Sequence, residues 1–407
     1  MVIQSNADQD QVNRAVNAGV AALITQNGGK HTDGKPLYFE DPFMDLAFLH
    51  TLTLHGFKGS ELGECYYAAA LINDGDSLSW FEAWSKLSEK VERLASSAEA
   101  KGHRVSAREA YLRAVTYLRN VALALRPSDP RYRATIEHSR VLFGKFAALS
   151  VPAIEVVEIP YEGKILPGYF LRSDARGERR PTIVIGDNTS EELYYWVGPP
   201  AVERGYNALL VDLPGIGLNH FNGIESRADT EVPVMAVVDY LCSRSDVDAG
   251  RIAVYGGGEG GGYIMTRAAA HEHRIAACVV DPLVYDMEPI APLFMAHVLP
   301  ASANKDSLGA IGGEILKLIW GFTGPEALKA MKADTAQITC PTLCLNESGD
   351  ATELIEQARY AVAHISNSTK ALRLFTHEDA TGGYRQLDNF SLKHQVMFDW
   401  LDDVFGL

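Results

Sequence analysis

The spacing of hydrophobic and polar residues changes near residue 150 of this 407-residue chain. Before that point, apolar residues recur three and four positions apart, which is the period of helices that bury one face. Gly, Asp and Pro residues interrupt the pattern and mark the ends of the segments. The predicted helices are Val12–Ile24, Asp41–His55, Leu62–Asn73, Leu78–Glu99, Ala107–Leu125 and Pro130–Leu149. We therefore predict an N-terminal helical domain over residues 1–150.

From residue 151 onward, short apolar runs alternate with helical segments. Several runs lack polar residues, which is typical of parallel strands buried on both faces. The predicted strands are Ile154–Ile159, Ile165–Leu171, Thr182–Ile185, Ala208–Asp212, Ile252–Tyr255, Ala277–Val280, Thr342–Leu345 and Leu372–Phe375. This alternation predicts an α/β domain over residues 151–407, with a doubly wound, mostly parallel, eight-stranded sheet. We expect its ligand site at the carboxyl ends of the strands, beneath a helical lid segment at about 282–331.

Composition and charge limit the kinds of partner. The formal net charge of −15 argues against nucleic acid and anionic membranes. No apolar run reaches membrane-spanning length, and the first residues carry neither a basic nor an apolar leader, which predicts a cytoplasmic protein. Five cysteines are dispersed without zinc-type spacing, so we expect no disulfide framework, no metal and no cofactor.

The most distinctive motif follows the strand Ile252–Tyr255, where glycines at 256–262 surround a single glutamate. A sharp strand-to-helix turn of the pattern Gly-x-Ser-x-Gly raises a nucleophile above a sheet, and its glycines permit close backbone approach. No serine is present here, and the reactive side chain is that of Glu259. Counting from the strand places the nucleophile position at Gly258, whereas counting back from the helix places it at Glu259. We favour Glu259, because that choice keeps the Gly-x-Nuc-x-Gly frame.

Other motifs along the chain have an informative order and spacing. They are Asp74-Gly75-Asp76-Ser77, Ser106-Ala107-Arg108-Glu109-Ala110-Tyr111, Arg204-Gly205-Tyr206, Asp212-Leu213-Pro214-Gly215-Ile216-Gly217 and Asp388-Asn389. Over nearly its whole length, the chain resembles the α/β-hydrolases that include 2,6-dihydroxy-pseudo-oxynicotine hydrolase, fungal polyketide-shortening hydrolases of pigment pathways and fermentation-respiration-switch-like esterases. The resemblance implies an α/β-hydrolase fold for residues 151–407, with an N-terminal helical cap domain packed over the active site.

The resemblance also implies a Ser–Asp–His triad, which this sequence retains only in part. The acid falls on Asp350, shortly after the strand Thr342–Leu345. The serine is missing from the turn, and the histidine position falls on Tyr384. Because two of the three positions change together, a single accidental loss does not explain the pattern. His377, which follows the last strand, is a candidate replacement for the lost base.

An oxyanion site and a substrate pocket complete the predicted active site. In this fold, backbone N–H groups of the loop after the third strand, and of the residue after the nucleophile, stabilise an oxyanion. Arg108 and Tyr111 of the helical cap are candidates for the pocket wall. The predicted oxyanion and substrate-binding residues are Gly186, Asp187, Asn188, Thr189, Gly258, Gly260, Arg108 and Tyr111.

A carboxylate in the turn has two chemical uses. It can remove a proton next to a carbonyl as a general base, or attack an electrophilic carbon as a nucleophile. The second route normally needs a histidine to activate water, and the histidine position holds Tyr384. Burial under a cap would raise the pKa of Glu259, whereas the helix N-terminus would lower it, and the sequence leaves the balance open.

Our leading hypothesis is an enzyme of small-molecule, polyketide-like secondary metabolism. Glu259 would act as the base and Tyr384 as a proton donor in cyclisation, dehydration or C–C bond reshaping of a carbonyl or phenolic substrate. One alternative is covalent hydrolysis of an epoxide, acyl or C–C bond by Glu259. Another is a non-catalytic pseudoenzyme that binds a small ligand. The expected partner is a small-molecule substrate, and a homodimer stays an open alternative.

Overall fold

The computed structural model describes residues 36–174, 176–298, 306–320, 325–381 and 384–407, so the predicted helix Val12–Ile24 lies outside the described residues. Helices precede the sheet in the described part of the chain. They are α1 (Pro42–Thr53), α2 (Leu62–Ala69), α3 (Ser77–Ala100), α4 (Arg104–Leu123) and α5 (Pro130–Leu149). The Asp41 side chain caps α1 by accepting hydrogen bonds from the Phe43 and Met44 backbone N–H groups.

Eight strands form one sheet in the order β1-β2-β4-β3-β5-β6-β7-β8. They are β1 (Glu155–Tyr161), β2 (Lys164–Leu171), β3 (Arg180–Ile185), β4 (Asn207–Val211), β5 (Val247–Gly257), β6 (Ala277–Asp281), β7 (Thr342–Glu347) and β8 (Lys370–Phe375). Strand β2 is antiparallel to both β1 and β4, and the remaining neighbours are parallel. The predicted α/β class and the mostly parallel, eight-stranded sheet are confirmed.

Helices cover both faces of this sheet. Those that follow the strands are α6 (Ser190–Glu203), α7 (Glu231–Ser243), α8 (Gly258–His271), α9 (Met287–Val298), α10 (Leu308–Trp320), α11 (Pro325–Ala330), α12 (Thr352–His364) and α13 (Phe390–Phe405). Side chains alternate between the faces of a strand, so each central strand serves two cores. In β3, Ile183 and Ile185 contribute to the core shared with α6, α13 and the N-terminal helices. Val184, between them, contributes to the core shared with α7, α8 and α12.

The N-terminal helices and α10 lie near the carboxyl ends of the central strands. The Phe43 ring of α1 fits against Gly312 of α10, where an added Cβ would come within 2.8 Å of the ring. Strand β5 ends at Gly257, and α8 begins at the next residue. This arrangement places the glycine-rich turn beneath helices from both parts of the chain.

Candidate active site

A cavity of about 310 Å³ opens above the carboxyl ends of β3 and β5. Its apolar wall comes from α1, α4 and α10, with Leu46, Leu123 and Ile315 among the contributing side chains. Its polar and ionisable lining consists of Asp41, His50, Arg119, Asp187, Asn188, Glu192, Glu259 and Tyr384. An apolar pocket with a few converging polar groups is the arrangement that small-molecule sites share.

The backbone of the turn decides between its two candidate residues. Gly258 has φ +73°, a left-handed conformation that glycine adopts without a side-chain clash. In a nucleophile elbow, the nucleophile occupies this strained position between strand and helix. Gly258 therefore holds the nucleophile position, and Glu259 is the residue after it. Our preference for Glu259 at that position is wrong, because the run of glycines shifts the turn by one residue.

Glu259 nevertheless lines the cavity, and both of its carboxylate oxygens are hydrogen-bonded. The Tyr384 hydroxyl donates to Oε2 over 2.7 Å. The Arg385 guanidinium donates from Nη2 to Oε1, also over 2.7 Å. Tyr384 and Glu259, both predicted from the sequence, thus meet directly. Arg385 was not predicted, and it gives the carboxylate a cationic partner.

Arg385 also joins Glu259 to Asp350. Its Nη1 atom lies 3.0 Å and 3.1 Å from the two carboxylate oxygens of Asp350. The predicted triad acid, Asp350, therefore contacts the Arg385 guanidinium. The three side chains form a buried chain, carboxylate–guanidinium–carboxylate, in which only 2% of the Arg385 side chain is exposed.

An unusual backbone conformation places this guanidinium. Arg385 and Gln386 both have φ 53°, in the left-handed region that non-glycine residues seldom adopt. The Gln386 backbone N–H donates to the Glu347 carboxylate at the end of β7 over 2.7 Å. Lys393 of α13 donates to the Arg385 carbonyl over 2.9 Å. These two hydrogen bonds hold the local geometry that directs Arg385 inward.

The contacts of Glu259 settle the direction of its pKa. Burial on its own would raise the pKa of this carboxyl. The positive charge of Arg385 and the hydrogen bonds from Tyr384 and Arg385 outweigh burial, so the pKa lies below its ordinary value of 4.5. The group is therefore an anion at neutral pH, and its charge is balanced within the protein.

Asp187 lies in the same cavity and has the opposite character. It follows β3 in the predicted oxyanion loop and packs against the turn, where a Cβ added to Gly261 would lie 2.2 Å from Asp187 Oδ2. Burial raises the pKa of Asp187 to about 8, although hydrogen bonds from the backbone N–H groups of Asp187 and Gly257 favour the anion. At neutral pH this carboxyl keeps its proton and is a hydrogen-bond donor.

The structure separates the remaining predicted residues into two groups. Asn188, Gly258 and Gly260 line the cavity with Asp187. Gly186 and Thr189 belong to the same loop, but the lining of this cavity does not include them. Gly186 packs against Leu213 and Val211 instead.

Three predicted residues lie away from the cavity, which corrects the sequence-based site. His377 is exposed in a short helical turn after β8, so it does not replace the missing base. Arg108 approaches Glu109 at 3.7 Å on α4. Tyr111 is buried among the N-terminal helices, and its hydroxyl donates to the exposed Glu99 over 2.5 Å. Aromatic and basic residues at helical spacing here build the cap rather than the pocket.

Three residues of the cavity wall were not predicted from the sequence, and they are His50, Arg119 and Glu192. They come from α1, α4 and α6, and no local motif links these helices. The Arg119 Nε atom lies 2.9 Å from Glu192 Oε2, while His50 Nδ1 lies 3.8 Å from Glu192 Oε1. One feature of the sequence could have identified Arg385. It is a cationic residue next to Tyr384, which stands at the histidine position that the resemblance implies. A cation there can balance the negative charge of a carboxylate in the glycine-rich turn.

The described residues were also compared with the requirements of a metal site and of a membrane-spanning helix. Across the described ranges, no cluster of three or more His, Cys, Asp or Glu side chains has an arrangement able to hold a metal ion. Within the same ranges, no helix is both long and apolar enough to span a membrane.

The fold and the cavity define the class of this protein, an enzyme of the α/β-hydrolase fold. No protein-family model matches the chain. Hydrolase LUC6 of Fusarium sp is 30% identical to it over 415 residues, which cover 91% of this chain and 98% of the relative. The chain belongs to the family of fungal α/β-hydrolases that contains this protein.

Two further similarities agree with that membership. The 20-hydroxy-prefusarin hydrolase FUS2 of Gibberella moniliformis is 29% identical over 416 residues, covering 91% of this chain and 98% of the relative. The solved structure of 2,6-dihydroxy-pseudo-oxynicotine hydrolase has a TM-score of 0.70 at 22% identity, covering 88% of this chain and 95% of that one. The structural likeness supports the fold alone.

Proposed function

We propose that this enzyme transfers a proton next to a carbonyl group in small-molecule, polyketide-like secondary metabolism, with Glu259 as the base. One observation carries the proposal: two carboxyl groups line one cavity, and that of Glu259 is hydrogen-bonded to both Arg385 and Tyr384. Glu259 is held as an anion, and Asp187 is held neutral with a pKa of about 8. Pairs of titratable groups displaced in this way commonly mark the base and the hydrogen-bond donor of an active site.

The reaction begins when the Glu259 carboxylate takes a proton from the carbon beside the carbonyl. The electrons of the broken C–H bond move to the carbonyl oxygen and form an enolate. Asp187, in its neutral form, donates a hydrogen bond to that oxygen, and backbone N–H groups of its loop are further candidate donors. Donors that are fixed before the reaction stabilise the developing charge without reorganisation.

The low pKa of Glu259 restricts the substrate. Each unit by which the pKa of the base falls below that of the carbon acid adds about 1.36 kcal/mol to the proton transfer. A carboxylate paired with Arg385 is therefore a weak base, which favours an activated carbon such as that of a β-dicarbonyl or a phenolic ketone. The enolate can then attack a second carbonyl carbon of the same molecule, or expel a β-hydroxyl group that leaves as water after protonation.

Tyr384 and Arg385 have a supporting role in this scheme. Their hydrogen bonds occupy one oxygen of Glu259 each, at 2.7 Å, and so fix the direction of the carboxylate. A fixed base has a smaller entropic barrier to reaching its proton. Tyr384 is then a positioning residue, and it becomes a proton donor only in a step that returns the proton through Glu259.

The variant Glu259→Gln tests the base directly, since it keeps the shape and a hydrogen bond to Tyr384 but removes the basic oxygen. We expect it to abolish C–H to deuterium exchange in a panel of β-keto amides, followed by NMR in D₂O. The matched control is Glu353→Gln, which alters an exposed glutamate in the first turn of α12. Exchange by the Glu259 variant at the rate of the control would refute the assignment.

Covalent hydrolysis by Glu259 is the second candidate function, and one observation favours it. His50 lies in the same cavity, so a histidine able to activate water is available although the histidine position holds tyrosine. Mass spectrometry of the Glu259 peptide after reaction with an epoxide or activated ester separates the two functions. A substrate-derived mass on Glu259 supports hydrolysis, and saturable binding without exchange or adduct supports a non-catalytic binder.

A further inference from the structure

His50 of α1 is a buried histidine whose imidazole lacks a hydrogen-bond partner. Only 6% of its side chain is exposed, and it lines the cavity. Among the described residues, neither ring nitrogen is within hydrogen-bonding distance of a partner, and Nε2 is fully buried. Buried polar groups in folded proteins nearly always have a partner, because leaving one unpaired costs free energy. Because Nε2 is fully buried, the ring nitrogen to which a ligand in the cavity can supply a hydrogen bond is Nδ1, which faces Glu192 across 3.8 Å.

Glu192 of α6 shows what kind of group fits. Its Oε1 atom lies 3.8 Å from His50 Nδ1, which is too long for a direct hydrogen bond. An oxygen placed at about 2.8 Å from both atoms would subtend an angle of about 85° between them, which a hydroxyl group accepts. Such a hydroxyl donates its proton to the Glu192 carboxylate and accepts the Nδ1–H of His50.

The second oxygen of Glu192 is already engaged. Arg119 forms an ion pair with Glu192, with Nε 2.9 Å from Oε2, and Oε1 is the carboxylate oxygen that lies 3.8 Å from His50 Nδ1. Burial lowers the pKa of His50 well below 6.5, and the charges of Arg119 and Lys393 act in the same direction. The imidazole is thus neutral, with one N–H to donate, and the nearby carboxylate favours that proton on Nδ1.

We propose that His50 and Glu192 form a recognition site for a hydroxyl group of the substrate. This inference rests on the proposed function for the position of the carbonyl, which lies at Glu259 and Asp187. The substrate class then narrows to carbonyl compounds that carry a second, hydroxylated position. His50 contacts that hydroxyl and determines specificity, while Arg119 positions Glu192.

A binding experiment tests this without requiring turnover. The probes are acetophenone and its 2-, 3- and 4-hydroxy isomers, titrated calorimetrically against the wild type, His50→Phe and Glu192→Gln. Phenylalanine keeps an aromatic ring against Trp196, whose ring centroid lies 6.2 Å from that of His50. We expect the wild type to bind one hydroxy isomer about tenfold more tightly than acetophenone. That preference, the ratio of the two affinities within each protein, should fall to about twofold or less in both variants.

The control is His55→Phe, which alters a histidine in the same segment that is half exposed and outside the cavity. It should keep the wild-type preference. Equal affinity of the wild type for all four probes would overturn the inference, as would a preference that survives in His50→Phe. A crystal structure with only a water molecule between His50 and Glu192 when the hydroxy probe is bound would do the same.

Failure of this inference is distinguishable from failure of the proposed function. If Glu259→Gln abolishes exchange but no probe distinguishes His50→Phe from the wild type, the hydroxyl site is wrong and the base stands. If the hydroxyl preference depends on His50 while Glu259→Gln exchanges normally, the base is wrong and the recognition site stands.

Discussion

Replacing Arg385 by methionine removes the cation at the centre of the buried network while keeping a long, unbranched side chain. In the wild type, its guanidinium lies 2.7 Å from Glu259 Oε1 and 3.0 Å from Asp350 Oδ1. Both carboxylates are nearly inaccessible to solvent, with 9% and 7% of their side chains exposed. In Arg385→Met, two buried anions lose the cation that contacts them both.

The expected loss of stability follows from that geometry. Removing one partner of a buried ion pair typically costs about 3–5 kcal/mol, because the remaining charge is uncompensated. In the wild type, the depressed pKa of Glu259 contributes stability that is present above 4.5 and is lost as the pH falls through the folded-state value. The variant lacks this contribution, so its deficit is largest near neutral pH and shrinks as Glu259 becomes protonated in acid.

Urea unfolding at neutral pH and near the unfolded-state pKa of 4.5 measures this deficit. The double variant Glu259→Gln/Arg385→Met is the control, because it removes one of the two uncompensated charges and should regain part of the stability. The same substitution should raise the pKa of Glu259, moving the acidic limb of the kcat/KM profile to higher pH. A deficit that is equal at both pH values, with an unmoved acidic limb, would refute the assigned charge arrangement.

Two further substitutions test neighbouring parts of the site. Because Asp187 is neutral below its pKa of about 8, Asp187→Asn should keep most activity and lose the alkaline limb of the pH–rate profile near that value. If the alkaline limb persists in the variant, another group is responsible for it. Because its pKa is raised, Asp187 contributes stability to the wild type at low pH, and this contribution is lost as the pH rises towards 8. The free energy of unfolding in urea should therefore fall over this pH range in the wild type, and this fall should be absent from the variant. Gly261→Ala would place a Cβ 2.2 Å from Asp187 Oδ2 and should reduce kcat/KM by about tenfold or more. The control is Gly144→Ala on α5, where an added Cβ meets no atom within 4 Å. This control should leave activity unchanged and raise the free energy of unfolding by about 1 kcal/mol.

The sheet was predictable from the sequence because its central strands are apolar on both faces. Each predicted strand overlaps an observed one, as Ala277–Val280 does with β6 (Ala277–Asp281). Helix ends were less predictable. The helix predicted to reach Asn73 ends at Ala69, and beyond it the N–H groups of Leu71 and Ile72 donate to carbonyls only three residues earlier. The helical spacing of apolar residues continues through that turn, so this spacing could not show where the helix ends.

The candidate site was predictable only where one segment carries the signal. The glycine-rich turn identified Glu259, and the histidine position implied by the family resemblance identified Tyr384, which the structure shows bonded to Glu259. Arg385 escaped prediction because its inward direction depends on left-handed backbone that no local pattern encodes. His50 and Glu192 escaped because helices far apart in the chain bring them together, and the apolar spacing of α1 predicts its buried face but not which buried residue meets a ligand.

The left-handed turn at Gly258 bears on whether serine chemistry can be introduced into this chain. A substitution Gly258→Ser adds a hydroxyl at a backbone cost of about 1–2 kcal/mol for a left-handed non-glycine residue. Its Cβ would lie 3.5 Å from the Tyr384 hydroxyl, so there is space for it. The side chains there are a tyrosine already bound to Glu259 and an arginine that cannot accept a proton. A serine at position 258 therefore meets no proton-accepting partner in this structure, and serine chemistry there requires several coordinated replacements.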